Sequence, residues 1–358
     1  MNKRKQINRR LRQAGSILLA FVLALGISAV PVQAAGLSAD VLAAEKKEVS
    51  LKQAKKITLK NTKGKNKSEV AAIKKLLQKN LDTDKCDNEY VSFLLDLNSD
   101  AYKWTKGGRL KKLYIHGLKG KVSLKAFKKL EYFECNAENG ETFNVTGLDV
   151  SKNSQLKELY CRILKLTSLD VSKNPKLEKL ECYNNKITSL DLSKNKKLKT
   201  VYCWGNKLKS LDVRGCSKLE RLNCGENQLA SLDVSGCPKL EDLGCGENQL
   251  TSLEVSRCQK LKELFCMNNQ LTNLDVSRCS KLESLFCGNN QLTSLNVSGC
   301  PELWTLDCSD NQLTSLDLSN NPYLSDNSNT SCDANVRVTF CETSDTDDGE
   351  DEDYGEDE

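Results

Sequence analysis

LERLNCGENQLASLDVSGCPK, residues 219–239, and LESLFCGNNQLTSLNVSGCPE, residues 282–302, are two copies of one 21-residue unit. Further copies keep the same phase, with starts at Leu156, Leu177, Leu198, Leu219, Leu240, Leu261, Leu282 and Leu303. Their shared pattern is L-x-x-L-x-C-x-x-N-x-L-T-S-L-D-V-S-x-N/C-x-x. A fixed period of this length is the mark of a stacked solenoid, in which each repeat is one coil. Two looser units precede the regular ones, at 110–129 and 130–155, and the second carries five extra residues around NAENGETFN. Ten coils are therefore expected between residues 110 and 323.

Each position in the unit has a physical task. Positions 4 and 6, such as Leu222 and Cys224, alternate with polar or aromatic neighbours, the period of a half-buried strand. Positions 1, 11, 14 and 16 (Leu219, Leu229, Leu232 and Val234) complete an apolar lining. Burying six such side chains contributes on the order of 10 kcal/mol, at ~1.5–3 kcal/mol for each large one. Ordering 21 residues costs more, at ~1–2 kcal/mol of backbone entropy per residue. A single coil cannot fold, whereas stacked coils share a continuous core. Position 9 is Asn185, Asn206, Asn227, Asn248, Asn269, Asn290 and Asn311 in turn, where an amide can donate and accept toward backbone groups of its own and the next coil. Leu164 replaces the amide in the first regular coil and predicts a local irregularity there.

The cysteines follow the same phase. Position 6 holds Cys135, Cys161, Cys182, Cys203, Cys224, Cys245, Cys266, Cys287 and Cys308; position 19 holds Cys216, Cys237, Cys258, Cys279 and Cys300, alternating with asparagine in other coils. Neighbouring coils lie about 4.8 Å apart, wider than the ~3.8 Å mean Cβ separation of a disulfide. The expectation is a line of free, buried thiols, with Cys332 and Cys341 as the pair best placed to bridge. No C-x-x-C occurs and His116 is the one histidine, so neither a metal nor another cofactor is expected.

The LxxLxCxxNxLTxLDVS pattern resembles the cysteine-bearing leucine-rich repeats of internalin-type bacterial surface proteins, in particular the subgroup with a cysteine ladder. The resemblance covers about residues 110–323. It implies an α/β-type repeat solenoid with a parallel β-sheet on the concave face and a mostly irregular or extended convex side. Adhesion or binding of a host protein is the role that it implies.

The flanks read differently. Residues 1–34 have a basic start, an apolar run from Ser16 to Val30 and a small-residue site at Val32-Gln33-Ala34, the layout of a cleavable signal peptide. Residues 35–66 read as a lysine-rich linker, 67–109 as a small helical N-terminal cap, 324–342 as a C-terminal cap and 343–358 as an acidic disordered tail. In the N-terminal cap, Ser68 is the expected helix start, with Val70, Ile73, Leu77 and Leu81 on one face; Tyr90, Phe93, Leu94 and Leu97 form a second such pattern. The formal charge is +5. Removing the six positive charges of the leader leaves −1, so no nucleic-acid partner and no membrane association after cleavage are expected. The nine lysines between Lys46 and Lys67 are a candidate contact to anionic wall polymer.

On the strands, positions 3, 5, 7 and 8 point away from the core. They supply Tyr160, Tyr183, Tyr202 and Trp204, then the bare Gly225, Gly244 and Gly246, then Phe265, Met267 and Phe286. Two aromatic patches around a glycine dip are the expected ligand-binding residues; mutual stacking along the sheet is the competing account. No Ser-His-Asp or Cys-His arrangement and no phosphate-binding loop is present, and nothing singles out a carboxylate pair. The reading is a secreted, monomeric binding protein for an extracellular protein, not an enzyme. The alternatives are a glycan or wall-polymer binding module and a structural spacer.

Overall fold

A computed structural model describes residues 57–82, 86, 88–136, 144–324 and 329–341. The leader, the first part of the linker and the acidic tail lie outside the described residues. The regular units become coils of a parallel solenoid. The short strands β1 (Tyr102–Trp104), β2 (Leu110–Tyr114), β4 (Tyr132–Glu134), β6 (Glu158–Tyr160), β7 (Lys179–Glu181) and β8 (Thr200–Tyr202) begin the main sheet. It continues through β9 (Arg221–Asn223), β10 (Asp242–Gly244), β11 (Glu263–Phe265), β12 (Ser284–Phe286), β13 (Thr305–Asp307) and β15 (Thr330–Ser331). β1 pairs antiparallel with β2, and every later pairing in this sheet is parallel. Register is locked coil to coil: Leu222, Leu243, Leu264, Leu285 and Leu306 stand in one line, all buried. A one-residue slip would turn this line to solvent, so the apolar period fixes the pairing. Two small parallel sheets, β3 (Gly120–Ser123) with β5 (Val145–Asp149) and β14 (Ser315–Leu318) with β16 (Arg337–Phe340), lie at the two ends of the array.

The position-9 asparagines form the ladder that the repeat implies, with one difference. Asn248 Nδ2 donates to Cys245 O and Gly246 O in its own coil, at 3.0 and 3.1 Å, and to Cys224 O at 3.1 Å. Its Oδ1 accepts from Leu229 N at 3.0 Å. The bridged neighbour is thus the preceding coil, not the following one, because the turn leaves the strand on that side. The residue before each amide takes a left-handed conformation, for example Glu226, Glu247 and Asn268. Ile163 does the same at φ 56° in the coil with Leu164. The backbone of the turn there keeps its path. The irregularity is instead a β-branched residue in the left-handed region and a missing side-chain bond.

Position 6 cysteines are buried, and no disulfide joins any two cysteines of the ladder or Cys332 to Cys341. At position 19, Asn195 Nδ2 reaches back to Val171 O and Asn174 O, both at 3.0 Å. Cys237 and Cys300 direct a thiol to the equivalent valine carbonyl at 3.4 Å. Cys237 and Cys300 therefore replace one of the two donations of the amide, Cys258 reaches both carbonyls at 3.8 Å, and none carries the buried Oδ1 that lacks a partner at Asn153, Asn174, Asn195 and Asn321.

Both ends of the core are covered. α1 (Lys67–Asn80) buries Ile73, Leu76 and Leu77, and α2 (Asn88–Leu95) contributes Leu94, with Leu97 just beyond it. The N-cap is Asn66, which accepts from Glu69 N, and not Ser68; the Ser68 hydroxyl instead donates to Asn66 Oδ1. Glu69, with no exposure, accepts from Arg109 Nε at 2.9 Å and from Leu110 N at 2.6 Å, fastening α1 to the first coil. Residues 57–66 are tied to α2, with Lys60 N donating to Leu95 O at 2.8 Å. At the other end Asp333 accepts from Asp310 N and Asn311 N, the amides that a further coil would otherwise take. Among the described residues no helix is long and apolar enough to cross a membrane.

Candidate functional site

The strand face carries the aromatic residues singled out above, and register decides which of them meet. Residues 21 apart stand side by side, and so Phe265 on β11 and Phe286 on β12 stack at 5.0 Å with ring planes 10° apart. Tyr183 and Trp204 follow β7 and β8 at position 7 and stack at 4.6 Å, again 10° apart. Tyr183, Tyr202, Trp204, Met267 and Phe286 are half-buried. Tyr160 and Phe265, at 9% and 5% exposure, are covered by their neighbours and present little surface.

Tyr160 is covered by charged side chains and by one ring of the preceding coil. Arg162 lies over Tyr160 and Tyr183, at 5.2 and 5.9 Å from their ring centroids. Its guanidinium also pairs with Glu134 at 2.5 Å and Glu181 at 3.1 Å. Tyr132 packs on Tyr160 at 5.2 Å from the coil before. This first cluster is a cross-coil network joining three coils, held by cation–π contacts and charge-assisted bonds. Arg162 sits at position 7, where the outward reading was available, but its partners lie 19 and 28 residues away.

Between the two stacks the face drops to backbone at Gly225, Gly244 and Gly246, all buried. Met267 leans over this floor: a Cβ on Gly246 would meet its Sδ at 2.8 Å. Carboxylates border both sides. Asp242 and Glu263 stand in register on β10 and β11. Burial raises Asp242, with Arg221 opposing the rise. Burial first, then repulsion from Asp242 and Glu283, pushes Glu263 up to about 7. On the other side burial, and then Glu247, raises Glu226. Among the described residues no lysine or arginine nitrogen lies within salt-bridge distance of Asp242, Glu263, Glu226 or Glu247. The dip is therefore a partly dry, acid-rimmed concavity between aromatic walls. Such surroundings attract a cation or a hydrogen-bond donor. The sequence places these acids at positions 3 and 8 of adjacent coils, but nothing in one coil marks them. Among the described residues there is no cluster of metal-ligating side chains.

A family model described as "Leucine Rich repeats (2 copies)" matches residues 175–215 and 259–300. The solenoid is similar to the functional domain of InlJ from Listeria monocytogenes, described as including a cysteine ladder. The two share 29% identity at a TM-score of 0.52, over 64% of this chain and 55% of that one. An internalin, InlF, from the same organism matches at 17% identity and TM-score 0.46, over 62% and 81% of the chains. The PEPR1–AtPEP1 structure matches at 18% and 0.53, over 66% and 40%. The chain thus spans little more than half of the InlJ domain that it matches. No curated protein sequence matches it. The repeats of this chain are leucine-rich repeats, and the parallel solenoid that they build, with its buried ladder of cysteines, is similar to the internalin fold.

Proposed function

We propose that this is a secreted or surface-held binding protein that recognises an extracellular protein through its strand face. The observation that carries the reading is the pair of stacks, Tyr183–Trp204 and Phe265–Phe286, bracketing a floor of glycine backbone. Rings held rigidly in register lose little conformational freedom when covered, and partly exposed aromatic side chains around a concavity are the usual energetic centre of a protein interface. The unpaired acids at the rim add a preference for a basic or donor-rich partner surface. Adhesion to a host and export by the leader at 1–34 belong to the same proposal, as does a monomeric state.

The test is a pull-down from host-cell and bacterial-surface extracts with residues 35–358, beside a Trp204→Ala/Phe286→Ala variant. Circular dichroism first verifies that the variant is folded. A partner held by the parent and lost by the variant supports the reading. A partner retained equally by both moves the contact off the strand face. Capture of glycan alone would replace the protein partner by a sugar stacked on the rings.

A further inference from the structure

The turn leading into each strand carries a second surface, separate from the strand face. Position 21 of six successive coils is lysine: Lys176, Lys197, Lys218, Lys239, Lys260 and Lys281, all exposed. The turn is fixed on both sides. Position 19 is buried, and position 2 donates its N–H to position 2 of the preceding coil, as Glu220 N does to Lys199 O and Glu241 N to Glu220 O, each at 2.8 Å. The six lysines therefore repeat at the spacing of neighbouring strands, about 4.8 Å, in a row roughly 24 Å long.

Neighbouring charge rows carry ion pairs within the protein, and this one carries none among the described residues. At position 2 the sign varies along the array and ion pairs cross from coil to coil: Lys157–Glu131, Lys199–Glu178 and Lys262–Glu241. At positions 17 and 18, Lys173, Lys194, Arg214 and Arg278 act on the position-15 carboxylates beside them, and Arg214 bonds Asp212 at 2.8 Å. By contrast, among the described residues Lys197, Lys218, Lys239, Lys260 and Lys281 make no ion pair, and Lys176 bonds the neutral Gln155. Six like charges at this spacing repel one another, and a single polymer of opposite charge relieves all of that repulsion at once while releasing its own counterions.

We propose that the position-21 lysines bind a linear phosphate polymer running along the solenoid axis. Phosphate fits better than carboxylate because every member of the row is lysine. An ammonium acts as a point charge toward phosphate oxygens, whereas bidentate capture of a carboxylate uses arginine. Nucleic acid fits poorly: positions 20, 21, 1 and 2 of these six coils hold no aromatic ring on which a base could stack.

The experiment is a titration with long-chain inorganic polyphosphate at several salt concentrations. It compares the parent protein, Lys218→Gln/Lys239→Gln/Lys260→Gln/Lys281→Gln, and a charge-matched Lys173→Gln/Lys194→Gln/Arg214→Gln/Arg278→Gln variant. The row variant is expected to lose about tenfold or more in affinity and to flatten the salt dependence by about three units of log–log slope. The charge-matched variant is expected to stay within about threefold of the parent, because its cations already serve the position-15 acids. Tripolyphosphate, too short to span the row, is expected to bind far more weakly than the long chain. Equal losses in both variants would reduce the effect to net charge and overturn the proposal. Absence of binding by the parent would also overturn it, as would equally tight binding of a sulfated or carboxylated glycan. None of these results bears on the strand face, whose aromatic residues are intact in all three proteins.

Discussion

At the scale of single residues, the fold depends on amides that serve two coils at once. Asn248 donates to three carbonyls that each also take a bond from a neighbouring coil, and it accepts from Leu229 N, which has no other partner among the described residues. Asn248→Leu would strand the Leu229 N–H in a half-buried turn, at a cost of about 1–3 kcal/mol, and remove one of the two bonds of each carbonyl, although the turn can open partly to water. A net loss of about 3 kcal/mol is expected, seen as a lower melting temperature, whereas Gln249→Ala on the exposed neighbour should stay within about 0.5 kcal/mol. Equal melting temperatures would refute the ladder. The amide's role was legible in the sequence because a polar residue recurs at one phase of an apolar repeat. Its direction was not, since the choice between the preceding and the following coil is set by the handedness of the turn. Asn66 and Ser68 show the same limit at the first helix. Both can cap, and only the position of Glu69, drawn inward to Arg109 and Leu110 N, selects Asn66.

At the scale of strands, what matters is the register between coils. Asp242 and Glu263 are 21 residues apart and unremarkable within their own units, and pairing β10 with β11 turns them into a like-charged couple. Because burial and that repulsion raise Glu263 to about 7, the folded protein holds a proton between about pH 4.5 and 7 that the unfolded chain has released. Stability therefore falls as pH rises through this window. Glu263→Gln should raise stability by about 1 kcal/mol at pH 8, the figure being discounted for the solvent that still reaches the side chain, and should change nothing near pH 4. Thermal melts at the two pH values check this, and a shift of equal size at both would rule out the electrostatic cause. The strands themselves were legible from the 21-residue spacing. The site was only half so: the aromatic positions were visible, but Arg162 over Tyr160 and the acids around the glycine floor are products of pairing.

At the scale of the whole array, contacts are made only between adjacent coils, so opening should begin at the ends and move inward. The buried thiols report this directly. Burial pushes them up, to about 12 at Cys135 and Cys224, so a thiolate reagent reaches them only when a coil opens. Alkylation followed by peptide mass spectrometry should label Cys308 before Cys245 and Cys224; uniform labelling along the ladder would mean that the array opens as one unit. Identical joints between coils have another consequence, concerning the glycine floor between the two stacks. Two bare coils separate Trp204 from Phe265, and any coil can be removed or duplicated without altering the joints on either side. The distance between the aromatic walls is thus a ruler graduated in steps of about 4.8 Å, and a gene that gains or drops one repeat resets the width of the gap by one mark while leaving both walls intact.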